Sequence, residues 1–577
     1  MERRARMEVL RKDEAPREDA PREVAPGARA TDDSWIDLLH DAPIAPVGID
    51  VLRAALRFAF ESGDAGGMLR AAVDRAPVAP STWEPEGFSH GLFLPELVSS
   101  CFTIRVGEVR FDPSQDRLQR ILTHPPDDLR DVQLRQEVLR ELDARPELRE
   151  CLGRAYADLR KLRNLLDEQP MTPGETIRRK VEVLGVIQSF FDRCEAGLGD
   201  ASSAVERLHR FAKRVRATDA YGRLEQVLDF DRNLAQVEVR VVVGSDGKIR
   251  DFELMKTEDN LANPLVRSSW ARAWSRFAAW LRGHRYGENE VLLRVLDEVF
   301  AALEDDVLPL FRLIGDLELY LANLGFRDRA REEGLDVCLA ELHEAPGMEG
   351  PSGPFALERL FNPLLFLQDV EPVPCDLVTR GHDALVLITG PNSGGKTRLL
   401  QALALAQLFG QNGLFVPAKR ATITRAPNMF VSLVEEAPAD QKEGRLGTEL
   451  LRVRRLFEKL APGSLVILDE LCSGTNPSEG IAIFEMVISL LPRLRPQVFL
   501  TTHFLDAARK LKTDTETPIE RLAFLQVELN EDAKPTFQFV EGVAPTSLAH
   551  RVASRLGVTH EELEKLVEAQ IARFTQS

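Results

Sequence analysis

The spacing of apolar positions along the chain changes character several times. Up to about residue 34, Arg, Glu, Asp, Pro and Ala mix with few large apolar side chains, the composition of a disordered charged tail. From Trp35 to about Phe111, short apolar clusters are broken by Pro and Gly, as in FSHGLFLPELVSSCFTIRVGEVRF. They predict a small mixed subdomain over 35–115. From Asp116 the pattern turns helical. Leu118, Ile121 and Leu122 precede HPPDDL, where Pro125 and Pro126 stop one helix and the aspartates can cap the next. LRQEVLRELDARPELRECLGRAYADLRKLRNLL then places apolar residues at three- and four-residue steps over many turns. Further helices are predicted over Thr176–Glu195 and Ser202–Thr218, and their length suggests levers rather than a compact bundle. The second carries Arg207, Arg210, Lys213, Arg214 and Arg216, whose arginines are candidates for contact with DNA phosphates.

At Ala235 the period drops to two. QVEVRVVV, GSDGK and IRDFELM alternate around Asp246-Gly247, the signal of a two-stranded hairpin. After Pro264 helices resume, with Trp270, Trp274, Phe277 and Leu281 on one face and Arg267, Arg272, Arg276, Arg282 and Arg285 interspersed. The aromatic stripe reads as core before it reads as a stacking platform for bases. The arginines either track phosphates or form a solvated face. A last helical run, from Val291 through GDLELYLANLGF to Leu342, leads to a Gly- and Pro-rich break at Ala345–Pro354. That break divides a helical region (116–345) from a final domain (346–577).

In this final domain an apolar run ends in a glycine-bounded loop and a helix-compatible stretch, LVLITGPNSGGKT followed by RLLQALALAQLF. Strand, loop and helix in this order make a phosphate cradle. Gly390, Pro391, Asn392, Ser393, Gly394 and Gly395 form the loop, and its glycines let successive N–H groups point at one anion. Lys396 can place an ammonium on the β/γ-phosphates, and the Thr397 hydroxyl can ligate Mg²⁺. The helix that begins there adds its positive end. LVILDEL (Leu465–Leu471) reads as a buried parallel strand ending in two acids. Asp469 is placed to hold Mg²⁺, and Glu470, facing differently, is the natural base for an attacking water. QVFLTTHF ends at Thr502-His503, and a histidine beyond a parallel strand lies on the ligand edge of an open α/β sheet. His503 can there contact a γ-phosphate.

Composition narrows the setting. A chain of 577 residues exceeds one core, and roughly three or four domains are expected. Apolar content of 44% and charged content of 29% are those of an ordinary soluble protein, and no apolar run reaches membrane-spanning length. The first thirty residues lack the apolar core of a secretory signal. Six cysteines (Cys101, Cys151, Cys194, Cys338, Cys375, Cys472) show neither metal-ligand nor disulfide spacing, as fits reduced thiols in a cytoplasm. A net charge of −17 argues against indiscriminate nucleic-acid binding but leaves room for a local basic surface, because distant charge is screened.

These residues resemble the MutS family, the DNA mismatch-repair ATPases and their relatives. TGPNSGGKT resembles the family's TGPN-x-GGK-[ST], and LDELCSGTNPSEG its DE-x-x-x-GT-x-x-x-[DE]G. QVFLTTHF, GLFVPAKRATI and FQFVEGVAPTSLAHRVASRLGV resemble its histidine segment, the stretch after the first ATPase helix and the closing strand and helix. The likeness covers 355–570. Upstream, LQRILTHPPDDLRDVQLRQEVLREL looks like the start of the family's core-lever region, and the 235–256 hairpin would then lie in or near the clamp. The fold class implied is an α/β P-loop ATPase domain of the ABC type at the C-terminus, behind a mostly helical core/lever region with a small hairpin insertion.

By the same resemblance, Gly390, Asn392, Gly394, Gly395, Lys396 and Thr397 would bind the phosphates of ATP. Asp469 would hold Mg²⁺, Glu470 would assist hydrolysis and His503 would sense the γ-phosphate. Family members are dimers in which a loop of one subunit completes the partner's site. The corresponding segment is EGRLGTELLRV (Glu443–Val453), with Gly444–Thr448 acting in trans and Gly447-Thr448 where the family has Ser-Thr. The part before the levers is short for a mismatch-reading domain plus a connector. The only Phe-x-Glu triplet, Phe539-Val540-Glu541, falls in the ATPase half. The acidic loop DELCSGTNPSEG looks closer to the subfamily that ends in an Smr nuclease, whereas a terminal helix (His560–Phe574) and no nuclease is expected here. The expectation is thus a cytoplasmic ATPase coupling hydrolysis to mismatched, damaged or branched DNA. The alternative is a nucleotide-switched dimerisation module that does not act on DNA. A transporter- or chromosome-type ABC ATPase is disfavoured by the missing LSGGQ-like signature and heptads.

Overall fold

The computed structural model describes residues 35–44, 48–63, 67–169, 172–232, 235–243, 249–259, 288–344, 353–368, 370–433, 445–472, 476–513, 521–532, 534–545 and 558–575. The charged tail, the Asp246-Gly247 turn, the arginine and tryptophan stretch at 260–287, most of the 345–354 break and the segment 546–557 lie outside them.

An irregular strap at 35–44 leads into α1 (Ile49–Ser62), α2 (Met68–Asp74) and α3 (Leu94–Cys101), then a short hairpin of β1 (Ile104–Val106) and β2 (Val109–Phe111). The helical region follows as α4 (Gln115–Thr123), α5 (Leu129–Ala144), α6 (Pro146–Asp167), α7 (Pro173–Gly197), α8 (Val205–Arg216) and α9 (Asp219–Arg232). Local chemistry sets these boundaries. α4 stops ahead of Pro125-Pro126, because a residue before proline is driven out of the α region. The Asp128 side chain then accepts from the Arg130 amide at 3.0 Å and opens α5. Pro146 begins α6 at a position where no amide hydrogen is needed, and Thr172 with Glu175 closes a reciprocal capping box on α7.

The hairpin follows as β3 (Ala235–Val243) and β4 (Ile249–Asp259), antiparallel from Ala235↔Asp259 to Val243↔Ile249. The chain returns through α10 (Glu288–Glu332), 45 residues long with Pro309 inside it. α10 packs along α1, α2, α6, α7 and α9, and the stacked rings of Phe60 and Phe300, 3.8 Å apart, mark its crossing with α1.

Short strands β5 (Cys338–Leu339) and β6 (Glu341–His343) enter the final region, followed by β7 (Phe355–Leu360), β8 (Cys375–Thr379), β9 (Leu385–Thr389) and α11 (Lys396–Gln411). Beyond them lie β10 (Phe415–Val416), β11 (Arg420–Thr424), β12 (Met429–Ser432), α12 (Arg445–Lys459), β13 (Leu465–Leu468), α13 (Pro477–Leu490), β14 (Gln497–Thr501), α14 (Leu505–Thr513), β15 (Leu522–Leu529), β16 (Pro535–Glu541) and α15 (His560–Thr575). The triplet Phe539-Val540-Glu541 lies in β16. The main sheet has the order β12-β13-β14-β9-β15-β16, parallel except for β16, and a second sheet runs β6-β11-β7-β8. No described helix is long and apolar enough to cross a membrane.

The central strands are apolar on both faces, as sheets covered on both sides require. Val386, Ile388, Ile467 and Phe499 face a large cluster that runs without a break to Phe409, Tyr320, Leu139, Leu94 and Ile36. Leu387, Val466, Leu468 and Leu500 face a smaller one with Phe484 and Val487. The strap therefore shares a core with helices hundreds of residues later. Leu38 N–H donates to Asp316 at 3.2 Å, Arg207 reaches the carbonyls of Asp37 and His40, and Arg312 bonds Asp37 and Ile44. Burial alone would raise the Asp37 pKa, but His40 and Arg312 hold it far below the carboxylate range. Arg135 links the strap to the sheet region, donating to Leu39 O at 3.2 Å and to Asn412 O, just past α11, at 3.3 Å.

Candidate functional site

The site forms where β9, β14 and β13 lie side by side and all end at one edge. In an open parallel sheet that edge is where ligands bind. β9 delivers the loop 390–395, and α11 begins at Lys396. Gly390 has a φ of +141°, and a Cβ there would sit 2.6 Å from Val527 Cγ2 of β15. A side chain is excluded by both conformation and space. Gly394 meets the same methyl, at 2.7 Å. Lys396 is 3% exposed, and its ammonium donates to the carbonyls of Gly390 and Pro391 at 3.0 and 3.1 Å. Burial lowers its pKa, and the carboxylates of Glu470 and Asp469 oppose that shift. Asn392 and Ser393 stand exposed on the rim.

β13 ends at Leu468, and Asp469 and Glu470 follow. The Asp469 amide donates to Ser432 O at 2.9 Å, and its buried carboxylate is held from two sides. Thr397 donates to Oδ2 at 2.5 Å, and Thr501 donates to Oδ1. Glu470 adopts a left-handed backbone, φ +50°, and its side chain meets His503. His503 Nε2 hydrogen-bonds Glu470 Oε1. That hydrogen bond is the largest influence on Glu470, whose pKa is lowered from the ordinary carboxylate value despite partial burial; the charges of His503 and Lys396 act the same way.

The structure thus brings Lys396, Thr397, Asp469, Glu470 and His503 to one sheet edge. Thr397 and Asp469 supply hard oxygen donors of the kind Mg²⁺ selects, with a nucleotide's own phosphates available for the remaining positions. The proposed trans segment divides: Gly444 lies outside the described residues, while Arg445 onward forms α12. From that helix Arg452 donates to Ser432, whose carbonyl also accepts from the Asp469 amide.

Three contributors escaped the sequence analysis. Thr501 ends β14, and only its place two residues before His503 hints at a role. Val527 shapes the loop from β15. Phe537 of β16 is 43% exposed, with a ring atom 3.2 Å from where a Gly395 Cβ would project. No spacing in the sequence points to either of these.

Among the candidate DNA-contacting arginines, those at 267–285 lie outside the described residues. On α8, Arg207 is spent on the strap, and Arg216 pairs with Asp192, Glu195 and Glu225. Arg210 pairs with Glu206 on the surface, and Arg214 lies over the ring of Phe211.

Comparison with known proteins agrees with the resemblance. The family model for MutS domain V, the ATPase domain of MutS, matches residues 386–571. Endonuclease MutS2 of Thermomicrobium roseum is 32% identical over 289 residues, 49% of this chain and 35% of the relative. Endonuclease MutS2 of Thermus thermophilus is 27% identical over 451 residues, 72% of this chain and 57% of the relative. That of Streptococcus gordonii is 28% identical over 285 residues, 48% and 34% respectively. The chain therefore spans between about a third and just over half the length of these relatives. Residues 386–571, which carry the sheet edge described above, thus match MutS domain V, and the chain beyond them is similar in part to MutS2 proteins.

Proposed function

We propose that this chain binds and hydrolyses ATP at the edge of β9, β13 and β14, and that hydrolysis is coupled through the helical region to DNA. The observation that carries this reading is the pairing of Thr397 with Asp469 beside the pairing of Glu470 with His503. The loop 390–395 and the start of α11 would hold the phosphates through backbone N–H groups, with the Lys396 ammonium on the β/γ-phosphates. Thr397 and Asp469 would hold Mg²⁺, which supplies charge neutralisation across the β- and γ-phosphates. Glu470, kept ionised by its partners, accepts a proton from the attacking water. The water oxygen bonds to the γ-phosphorus, the bond to the bridging oxygen breaks, and ADP and inorganic phosphate leave. His503 orients Glu470 and reaches toward the γ-phosphate. Phe537 offers an aromatic face beside the loop, suited to a nucleotide base.

The test separates binding from chemistry. Lys396→Ala should abolish ATP binding. Glu470→Gln should bind ATP normally and release phosphate at least about a hundredfold more slowly, as loss of a general base does. Undiminished turnover in purified Glu470→Gln would remove that residue from the mechanism.

DNA as the partner, and a homodimer joined through the ATPase domains with the segment around Gly447-Thr448 acting across the interface, follow the MutS family. A second reading, a nucleotide-switched dimerisation module without DNA, draws support from Arg207 and Arg216 being engaged within the chain and from the net charge of −17. Gel shifts with homoduplex, mismatched and branched DNA, with and without ATP, decide between the two. Absence of binding at low salt to all three would favour the second. The endonuclease activity in the relatives' names is left with those relatives, because this chain spans only part of each.

A further inference from the structure

Thr501 touches both acids of the proposed hydrolytic site with a single oxygen. It is the last residue of β14, fully buried, on the strand between β13 and β9. Its Oγ1 accepts the Glu470 amide hydrogen at 2.8 Å and donates to Asp469 Oδ1. The polarity is forced. An amide can only donate, so the hydroxyl oxygen is the acceptor toward Glu470, and its one proton is left for the carboxylate. A hydrogen bond to an ionised acceptor inside a buried setting is among the stronger ones a side chain makes.

Two consequences follow. The Glu470 backbone sits at φ +50°, a conformation that disfavours a residue with a Cβ, and its amide is fastened there by Thr501. The same hydroxyl fixes the plane of the Asp469 carboxylate, leaving Oδ2 directed at Thr397. The Thr501 bond is made to Oδ1 and the Thr397 bond to Oδ2, so Asp469 would keep its orientation from Thr501 if Thr397 and Asp469 took up Mg²⁺.

We propose that Thr501 is a positioning residue that sets the cation-holding Asp469 and the water-activating Glu470 in register with each other. The inference rests on the reading of this edge as an ATP-hydrolysing site. Thr501→Val keeps the shape of the side chain and removes the hydroxyl; Thr501→Ser keeps the hydroxyl.

The experiment measures phosphate release by the full chain as a function of Mg²⁺ concentration, alongside binding of a fluorescent ATP analogue in EDTA. Thr501→Val should lower kcat and raise the Mg²⁺ midpoint, each by about ten- to a hundredfold, while affinity for the analogue without Mg²⁺ stays within about threefold of wild type. Thr501→Ser should restore both parameters. If Thr501→Val does not fold, Thr501→Cys, with its much weaker donor and acceptor, takes its place with the same expected losses. A valine (or cysteine) variant with wild-type kcat and Mg²⁺ midpoint overturns the proposal. So does a serine variant as impaired as the valine one, since bulk rather than the hydroxyl would then matter. A wild-type chain that neither binds the analogue nor releases phosphate overturns the ATPase reading itself, and is distinguished from the other failures by arising before any substitution.

Discussion

Glu470 shows how much of this chemistry rests on one neighbour. Its pKa is held below the ordinary carboxylate value first by the hydrogen bond from His503, against the upward push of partial burial, and then by the charges of His503 and Lys396. A carboxylate depressed in the folded state contributes stability above its ordinary pKa, and loses it as pH falls through the folded value. Removing His503 takes away the largest lowering influence and leaves the burial. The acid limb of kcat should therefore move upward in His503→Ala, read from about pH 4 to about pH 8. An unchanged acid limb would show that His503 does not govern this carboxylate. The residues of this pair were legible in the sequence, because each lies one or two positions beyond an apolar strand. Their contact was not, because it joins residues 33 apart on different strands.

At the scale of elements, the loop before α11 is shaped as much by β15 as by its own glycines. A Cβ on Gly394 would lie 2.7 Å from Val527 Cγ2 and 3.0 Å from Pro391 O. Gly394→Ala should cost about 1–3 kcal/mol of stability by overpacking, measured by denaturant unfolding. Val527→Ala frees the space taken by that methyl, so the double variant should be more stable than the sum of the two single effects predicts. Strict additivity would mean that the clash with Pro391 O alone sets the cost. α10 gives a second lesson at this scale. Its 45 residues continue past Pro309, where a proline costs a helix roughly 3 kcal/mol. Apolar packing against α1, α2, α6, α7 and α9 offsets the loss.

Across the whole molecule, the strap at 35–44 and the end of α11 meet through one side chain. Arg135 of α5 is almost fully buried and donates to Leu39 O and to Asn412 O, while Asn412 Nδ2 donates to Leu122 O at 2.9 Å. Arg135→Leu leaves two buried carbonyls without this donor and should destabilise the chain by about 2–4 kcal/mol. Thermal unfolding monitored by circular dichroism reads the effect, and a midpoint equal to wild type would make the contact dispensable. The sequence reads the strap's residues as part of a small mixed subdomain over 35–115, and in the structure Ile36, Leu38 and Leu39 lie in the same continuous apolar cluster as Tyr320 and Phe409.

Legible in the chain alone were the candidate groups borne by contiguous residues: the loop Gly390–Thr397, the acids after β13, the histidine after β14, and the caps and prolines that bound the lever helices. Each depends on spacing within one element, and spacing is written in the chain. Which of these strand ends become neighbours is set by the packing of the sheet. The order β13-β14-β9 places Thr501 between the two acids and the loop. The neighbouring β15 sets Val527 against the glycines, and the buried strap consumes Arg207, which the sequence alone leaves as a candidate for phosphate. Those contacts join residues far apart in the chain, and their formation depends on the burial of apolar faces shared by the whole core rather than on any local pattern.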